Sequence, residues 1–407
     1  MTEYPVGVEL EEGQRIILEK TSDCGIEEVY VSESFGRILA EDIKAKESIP
    51  PFSKSPYDGY AFRAEDIEKA SNENPVTLEI TEEIAAGHVP TMRVGKMQAA
   101  KILTGAKVPD GADTIEKFEV TEFDKDFVTF FAPVSKGSNI VLEGEDVKCG
   151  DTVLEKGILI DAAGCGILAG LGLEKVKVYK KPNVSVISTG DELISVGEEL
   201  IPGKIRNSSA YTIKALLEEW GMTVKLKGIV KDDPSLIAEA VKEECMWADA
   251  VITTGGVSVG DYDCILASME KLSADVLFWK LKMKPGSAFA FSVYEKSLVI
   301  SLSGNPSAAV MALIMAARPA LYKMAGRSYC MADEIEVKLE DGFPKKSMQR
   351  RFVPGRLVIK DGEAYLRMVS KQGNGMLSPL AGVDILGEIP AGSPPLAANT
   401  VIKSYKL

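Results

Sequence analysis

The stretch TTGGVSVGDYD, residues 253–263, places three glycines and two aspartates in one short segment after the run DAVI. Glycines here let the backbone amides of TGGVSVG, including Gly255, Gly256, Ser258 and Gly260, line an anion. Asp261 and Asp263 would repel that anion unless a divalent cation lay between them. The positive end of the helix that starts near Asp263 adds to the cradle. Capping of that helix is the simpler reading for either aspartate alone. Three other loops repeat the composition: TGDEL (189–193), KDDP (231–234) and SLSGNP (301–306). They add Asp191, Glu192, Asp232 and Asp233, a carboxylate set suited to Mg²⁺ beside a phosphate-bearing ligand. In FWKLKMKPGSAFAF (278–291), Lys280, Lys282 and Lys284 alternate before a turn at Pro285–Gly286. Alternate residues of a strand share a face, so the three cations read as an oxyanion clamp. A solvated charged face is the plainer alternative.

The surrounding pattern explains how these loops could meet. Residues 183–188, 222–230, 249–254 and 297–303 read as strands. Helical spacing separates them at 208–221, 233–247 and 264–272, and a longer helix over 305–326 is bent near Pro319. Ser208 or Ser209 is expected to cap the first helix, and Asp233 with Pro234 to start the second. Strand–helix alternation predicts a parallel, doubly wound sheet. In such sheets ligands lie outside the carboxyl ends of the strands, and all four loops follow strands. Elsewhere a short helix is expected over 9–21, a small β domain over 75–141, and a strand pair with a short helix over 147–178. Residues 330–407 read as a small barrel or sandwich with turns such as VIKDGEAYL.

The bulk composition narrows the chemistry. With 407 residues the chain exceeds one ordinary domain. It carries 60 acidic and 47 basic residues, net −13, without a long basic cluster, which argues against nucleic acid and anionic membrane as partners. No apolar run reaches the length of a membrane span, and the acidic N-terminus MTEYPVGVELEEGQ lacks the features of a signal peptide. Six scattered cysteines without a CxxC read as reduced thiols in a cytoplasmic protein. His88 is the only histidine, which removes Ser-His-Asp triads and His-based zinc sites.

Motifs along nearly the whole chain resemble the molybdopterin molybdenumtransferases, the MoeA family, whose eukaryotic relative is the E domain of gephyrin. They are SIPPFSKSPYDGYAF (48–62), ILTGAKVPDGADTI (102–115), NIVLEGEDVKCGD (139–151), VISTGDEL (186–193), GKIRNSS (203–209), the TTGGVSVGDYD loop, KMKPG (282–286) and SGNPSAAV (303–310). The resemblance implies insertion of molybdate into adenylylated molybdopterin with release of AMP, assisted by Mg²⁺. It implies a homodimer supplied by a pterin adenylyltransferase. It also implies four domains: a linker-like α/β domain (1–47 and 142–178), a small β domain (48–141), a three-layer α/β domain (179–326) and a C-terminal β-barrel (327–407).

Carried over by position, the catalytic set is Asp58, Thr104, Asp146, Glu192, Asp232, Asp263, Lys280 and Lys284. Glu192, Asp232 and Asp263 hold Mg²⁺ or orient water, while Lys280 and Lys284 neutralise molybdate and the leaving phosphate. Asp58, Thr104 and Asp146 are expected to act from the partner subunit. The cofactor-binding set is Gly190, Asp191, Ser208, Gly255, Gly256, Ser258, Gly260, Pro285, Gly286, Ser303, Gly304, Asn305 and Pro306. The chain departs from the family pattern at Ser53, where Asp is usual, and at Tyr57, where Met is usual. Before GED it offers Val141 and Leu142 in place of an arginine, which removes one anion contact. Tungstate insertion, a pterin adenylyltransferase or nucleotide hydrolase, and a receptor-binding scaffold are the competing readings. The YDGYA and TGAKVPDGAD segments go beyond what a lone adenylyltransferase domain needs. A scaffold would not need the site acids and lysines, all of which this chain has.

Overall fold

In the computed structural model, which describes residues 4–257, 264–371 and 373–407, the chain forms two compact units. One contains residues 42–155 and 161–175; the other contains the remainder. Among the described residues no helix is long and apolar enough to cross a membrane.

The larger unit is built on a seven-stranded sheet. Its elements in chain order are β1 (Val6–Val8), α1 (Leu10–Lys20), β2 (Asn183–Thr189), α2 (Ser209–Glu219), β3 (Thr223–Val230), α3 (Pro234–Cys245), β4 (Ala250–Thr254), α4 (Cys264–Leu272), β5 (Asp275–Leu281), β6 (Phe289–Tyr294), β7 (Ser297–Leu302), α5 (Pro306–Ala312) and α6 (Arg318–Met324). The strand order is β1-β5-β6-β7-β4-β2-β3. β7, β4, β2 and β3 are mutually parallel, as the alternation predicts, while β5, β6 and β7 form an antiparallel meander. Successive residues of β2 bury on opposite faces: Val184 and Val186 with Ile213 and Leu217 of α2, Ile187 with Ile237 and Val241 of α3. Each fully buried aliphatic side chain contributes about 1.5–3 kcal/mol, so both helical layers are anchored by the sheet.

Pro319 bends the last helix as expected, and the structure shows how. Proline has no N–H for the carbonyl of Met315, four residues earlier. The helix widens into a π turn over Leu313–Ala317, and the Gln14 side-chain amide donates to Met315 O at 2.6 Å. The cap of α2 differs from expectation. Ser208 makes no side-chain cap; instead Asn207 Oδ1 accepts from Ala210 N at 3.3 Å. Asp233 caps α3 as predicted, accepting from the amides of Ser235 and Leu236, and these bonds hold its carboxyl below the ordinary value.

Following this sheet, β8 (Glu334–Leu339), β9 (Arg351–Lys360), β10 (Glu363–Met368), β11 (Ile385–Ile389) and β12 (Val401–Lys406) close a five-stranded barrel in the order β8-β10-β9-β11-β12, which settles barrel over sandwich. Its β9–β10 turn is Asp361-Gly362, both at positive φ, the two-residue geometry that matches strand twist.

The smaller unit holds a six-stranded sheet in the order Thr114–Lys117, Gly59–Phe62, Gln98–Ile102, Val76–Ile84, Phe127–Phe130, Thr121–Phe123. Tyr60, Phe62, Leu78 and Phe130 fill its core, with the Phe62 and Phe130 rings 4.3 Å apart. The strand pair expected within 147–178 does not form. Thr152–Leu154 pairs instead with Ile43–Lys44, and Lys175–Tyr179 pairs with Ile26–Tyr30. Both partners come from the N-terminal segment, a long-range choice that local pattern does not encode. The helix between them, Ala162–Gly170, is capped by Asp161, which accepts from Gly164 N at 2.7 Å.

One buried carboxylate stabilises the large sheet. Glu244 of α3 is 0% exposed. It accepts from Ser185 Oγ at 2.7 Å and Lys225 Nζ at 2.9 Å, with Lys227 Nζ at 3.5 Å. Burial pushes its carboxyl up, but the bonds from Ser185 and Lys225 prevail and hold it below its ordinary 4.5. A depressed carboxyl adds stability above its unfolded pKa that is lost as pH falls through the folded value. Glu244→Gln is therefore expected to lower stability by about 2 kcal/mol at pH 7. In urea titrations that gap should close as pH falls below about 4; a gap independent of pH would contradict the assignment.

Candidate active site

The parallel register decides where the four predicted loops begin. Ser188 pairs with Thr254, Thr254 with Leu302, and Thr189 with Val230. The loops starting at Gly190, Lys231, Gly255 and Ser303 therefore leave the sheet at one level, on the carboxyl edge where a doubly wound sheet offers a crevice.

Gly190 is buried at φ +147, and a Cβ there would lie 2.6 Å from Glu192 Oε2, so Glu192 folds back over it. Asp191 N donates to Asp232 Oδ2 at 3.3 Å, and the Asp191 carbonyl accepts from Lys204 Nζ. Asp232 Oδ1 is buried without a hydrogen-bond partner. Such an orphaned carboxylate oxygen is costly unless a cation or a donor completes it. Asp263, Ser258 and Gly260 lie outside the described residues. Among the described residues, no group of three or more acids, cysteines or histidines could hold a metal ion.

Gly255 has a different role from the one expected. Its amide donates to Leu302 O at 3.1 Å and so is not free to hold an anion. Glycine is required because its φ is +100 and a Cβ would lie 2.3 Å from Thr189 O. Gly304 packs against it: a Cβ on Gly304 would meet Gly255 Cα at 3.4 Å. Gly256, at φ +63, follows in the same turn.

The lysine clamp is also rearranged. β5 ends at Leu281, and Lys280 adopts φ +68, which breaks the pleat. Lys282 turns away to pair with Glu9 at 2.8 Å. Lys280 and Lys284 still share one hollow of about 190 Å³, with Pro285, Gly286, Ser303 and Asn305. Lys280 Nζ lies 3.8 Å from the Trp279 ring centre, a cation–π contact that leaves its charge unneutralised. Gly286 brings this turn against α5, where a Cβ would meet Ala312 Cβ at 3.1 Å. Pro306 starts α5, whose first-turn amides at Ser307 and Ala308 donate to Asn374 O at 3.0 and 3.3 Å. Asn374 lines the hollow too, and Arg351 and Lys371 line a smaller one of about 30 Å³ that shares Pro285 and Asn374. Sequence reasoning missed these residues. The only local signal, for Lys371 and Asn374, is the turn-forming QGNG at 372–375; Arg351 has none.

In the smaller unit, Asp58 and Thr104 come together across 46 positions. Thr104 N and Oγ1 both donate to Asp58 Oδ1, each at 2.7 Å. These bonds hold the Asp58 carboxyl below the usual range, the backbone donor contributing most. Beside it Lys117 Nζ stacks 4.2 Å over the Tyr57 ring. Asp146 has an exposed side chain, and its amide donates to Ile49 O at 3.1 Å. Leu142, which precedes the GED segment, is exposed.

Three family profiles match in chain order: the MoeA N-terminal region (domain I and II) over residues 8–172, a probable molybdopterin binding domain over 185–323, and the MoeA C-terminal region (domain IV) over 336–407. The molybdopterin molybdenumtransferase of Staphylococcus aureus (strain COL) is 38% identical over 380 residues, covering 93% of this chain and 90% of that protein. Its counterpart in Staphylococcus epidermidis (strain ATCC 12228 / FDA PCI 1200) is 37% identical over 374 residues, covering 92% and 89%. The crystal structure of the molybdopterin biosynthesis moeA protein from Pyrococcus horikoshii OT3 superposes with a TM-score of 0.84 at 31% identity, over 98% of this chain and 100% of that one. With its fold and most of its length thus matched, the chain belongs to the MoeA family of molybdopterin molybdenumtransferases.

Proposed function

We propose that this chain inserts molybdate into adenylylated molybdopterin and releases AMP, as a step of molybdenum cofactor biosynthesis. The observation that carries this reading is the hollow shared by Lys280 and Lys284, in a chain whose strand-end acids leave the same sheet. Molybdate is a compact dianion and the adenylyl anhydride carries phosphate charge, so paired ammonium groups suit both. Glu192 accepts the proton of a water that adds to the adenylyl phosphorus. The P–O bond of the anhydride breaks, AMP leaves with the new oxygen, and the pterin phosphate keeps the bridging oxygen. The two dithiol sulfurs then bind molybdate, and their protons leave with one oxo group as water. Lys280 and Lys284 hold the oxyanion and the departing phosphate through both steps.

The orphaned Oδ1 of Asp232 and the all-oxygen donor set fit Mg²⁺. Glu192, Asp232 and Asp263 would hold it, and when bound it would offset the charge of the phosphoanhydride. Asp58, Thr104 and Asp146 complete the catalytic set, closing over the ligand from the partner subunit. We place the protein in the cytoplasm as a homodimer of four-domain chains that receives its substrate from a pterin adenylyltransferase.

Glu192→Gln is expected to reduce molybdate-dependent AMP release by about 10²–10⁴-fold, with an unchanged circular dichroism spectrum; wild-type turnover would remove Glu192 from the mechanism. Thr104→Val deletes one of the two donors to Asp58. An NMR titration should then find the Asp58 carboxyl moved up toward its ordinary 3.8. No movement would mean that the hydroxyl contributes nothing.

A further inference from the structure

A lysine ammonium is aimed by where its main chain is fixed, and Lys284 is fixed by the barrel. Lys284 N donates to Arg350 O at 2.9 Å, and Phe352 N donates to Lys284 O at 2.8 Å. The lysine is thus bridged in parallel to Arg351 at the start of β9. Arg350, the residue that accepts from Lys284, is held in turn by its side chain. Nη2 donates to Glu388 Oε2 at 2.9 Å and to the Tyr405 hydroxyl at 3.3 Å. Nε lies 2.8 Å from Glu388 Oε1, an ion-pair contact without hydrogen-bond alignment. Nη1 donates to Glu11 of α1, and the Tyr405 hydroxyl donates to Glu388 Oε2 at 2.6 Å. One guanidinium therefore ties together α1, β11, β12 and the entry to β9.

The Arg350 and Glu388 side chains are only 16% and 14% exposed, and Tyr405 is 5% exposed. Burying an ion pair of this kind adds little stability over apolar packing. What it adds is a fixed geometry on the main chain that carries Lys284. Burial works against the Arg350 charge, but the bonds to Glu388 and Glu11 raise its pKa above the ordinary value. Burial and Glu388 push the Tyr405 hydroxyl up to about 12. Both groups keep their protons across the neutral range, so the network is constant there.

We propose that Arg350, Glu388 and Tyr405 are positioning residues that aim Lys284 at the oxyanion; this rests on the reading of Lys284 given above. Arg350→Met, Glu388→Gln and Tyr405→Phe are compared with wild type in molybdate-dependent AMP release. Glu340→Gln is the control, since Glu340 pairs with Lys360 and Arg367 elsewhere in the same barrel. The expected result is a molybdate KM raised about tenfold in Arg350→Met and Glu388→Gln, partial recovery in Arg350→Lys, and no change in the pterin KM or in Glu340→Gln. Folded Arg350→Met and Glu388→Gln with a wild-type molybdate KM would overturn the proposal, as would an equal rise in Glu340→Gln. If the first two variants do not fold, Tyr405→Phe decides: a rise of about threefold supports the network and no rise overturns it. Should wild type release no AMP in response to molybdate, the activity assigned above fails and the network is tested separately. Calorimetric titration of molybdate then supports it if binding weakens in the variants, and overturns it if binding is equal or undetectable in wild type.

Discussion

The arrangement rests on the register of four parallel strands. Because Ser188, Thr254 and Leu302 stand side by side, the chain leaves β2, β4 and β7 at one height. The amide of Gly255 secures this by bonding to Leu302 O just past the last strand pair. A slip of one residue in any of these strands would carry every side chain packed under one helical layer to the opposite face. Hydrophobic burial on both faces of β2 thus enforces the same register that lines up Glu192, Asp232 and the glycine turns.

Charge is distributed around that edge in two ways. The acids come directly from strand ends, which makes Asp232 a half-buried carboxylate with one oxygen unanswered. The lysines come from a hairpin whose far side is held by the barrel, through Lys284 and the Arg350 network. Carboxylates and an ammonium hollow on the loops of one sheet suit a ligand that is polyanionic at one end and accompanied by a cation at the other. The net charge of −13 makes local placement of these lysines more consequential, since the field of the whole chain does not favour anions.

Much of this was legible in the sequence wherever chemistry is local. The loops at 189–193, 231–234, 253–263 and 301–306 advertised themselves by glycine and acid after β-branched runs. The Asp361-Gly362 turn, the Asp233 cap and the Pro319 bend were equally local signals. What the sequence hid depends on distant partners. Lys282 has the spacing of its neighbours but pairs with Glu9, because Lys280 at positive φ breaks the alternation. Gly255 reads as an anion-binding amide, yet its N–H belongs to the sheet. The strands at 152–154 and 175–179 look like a pair but take partners from the N-terminal segment. Asn374 reaches the lysine hollow, and Arg351 and Lys371 a smaller one that shares Pro285 and Asn374 with it, with no motif to announce them. Glu244 resembles an ordinary surface acid of a helix until Ser185 and Lys225 are seen to close over it.

The central claim is that the strand-end acids and the two lysines serve one phosphate- and oxyanion-bearing ligand. A crystal structure of the full chain soaked with AMP, Mg²⁺ and molybdate tests it most directly. The account predicts the oxyanion in contact with Nζ of Lys280 and Lys284, and a cation on the free oxygen of Asp232. Molybdate bound away from both lysines, with Asp232 Oδ1 still unanswered, would contradict it.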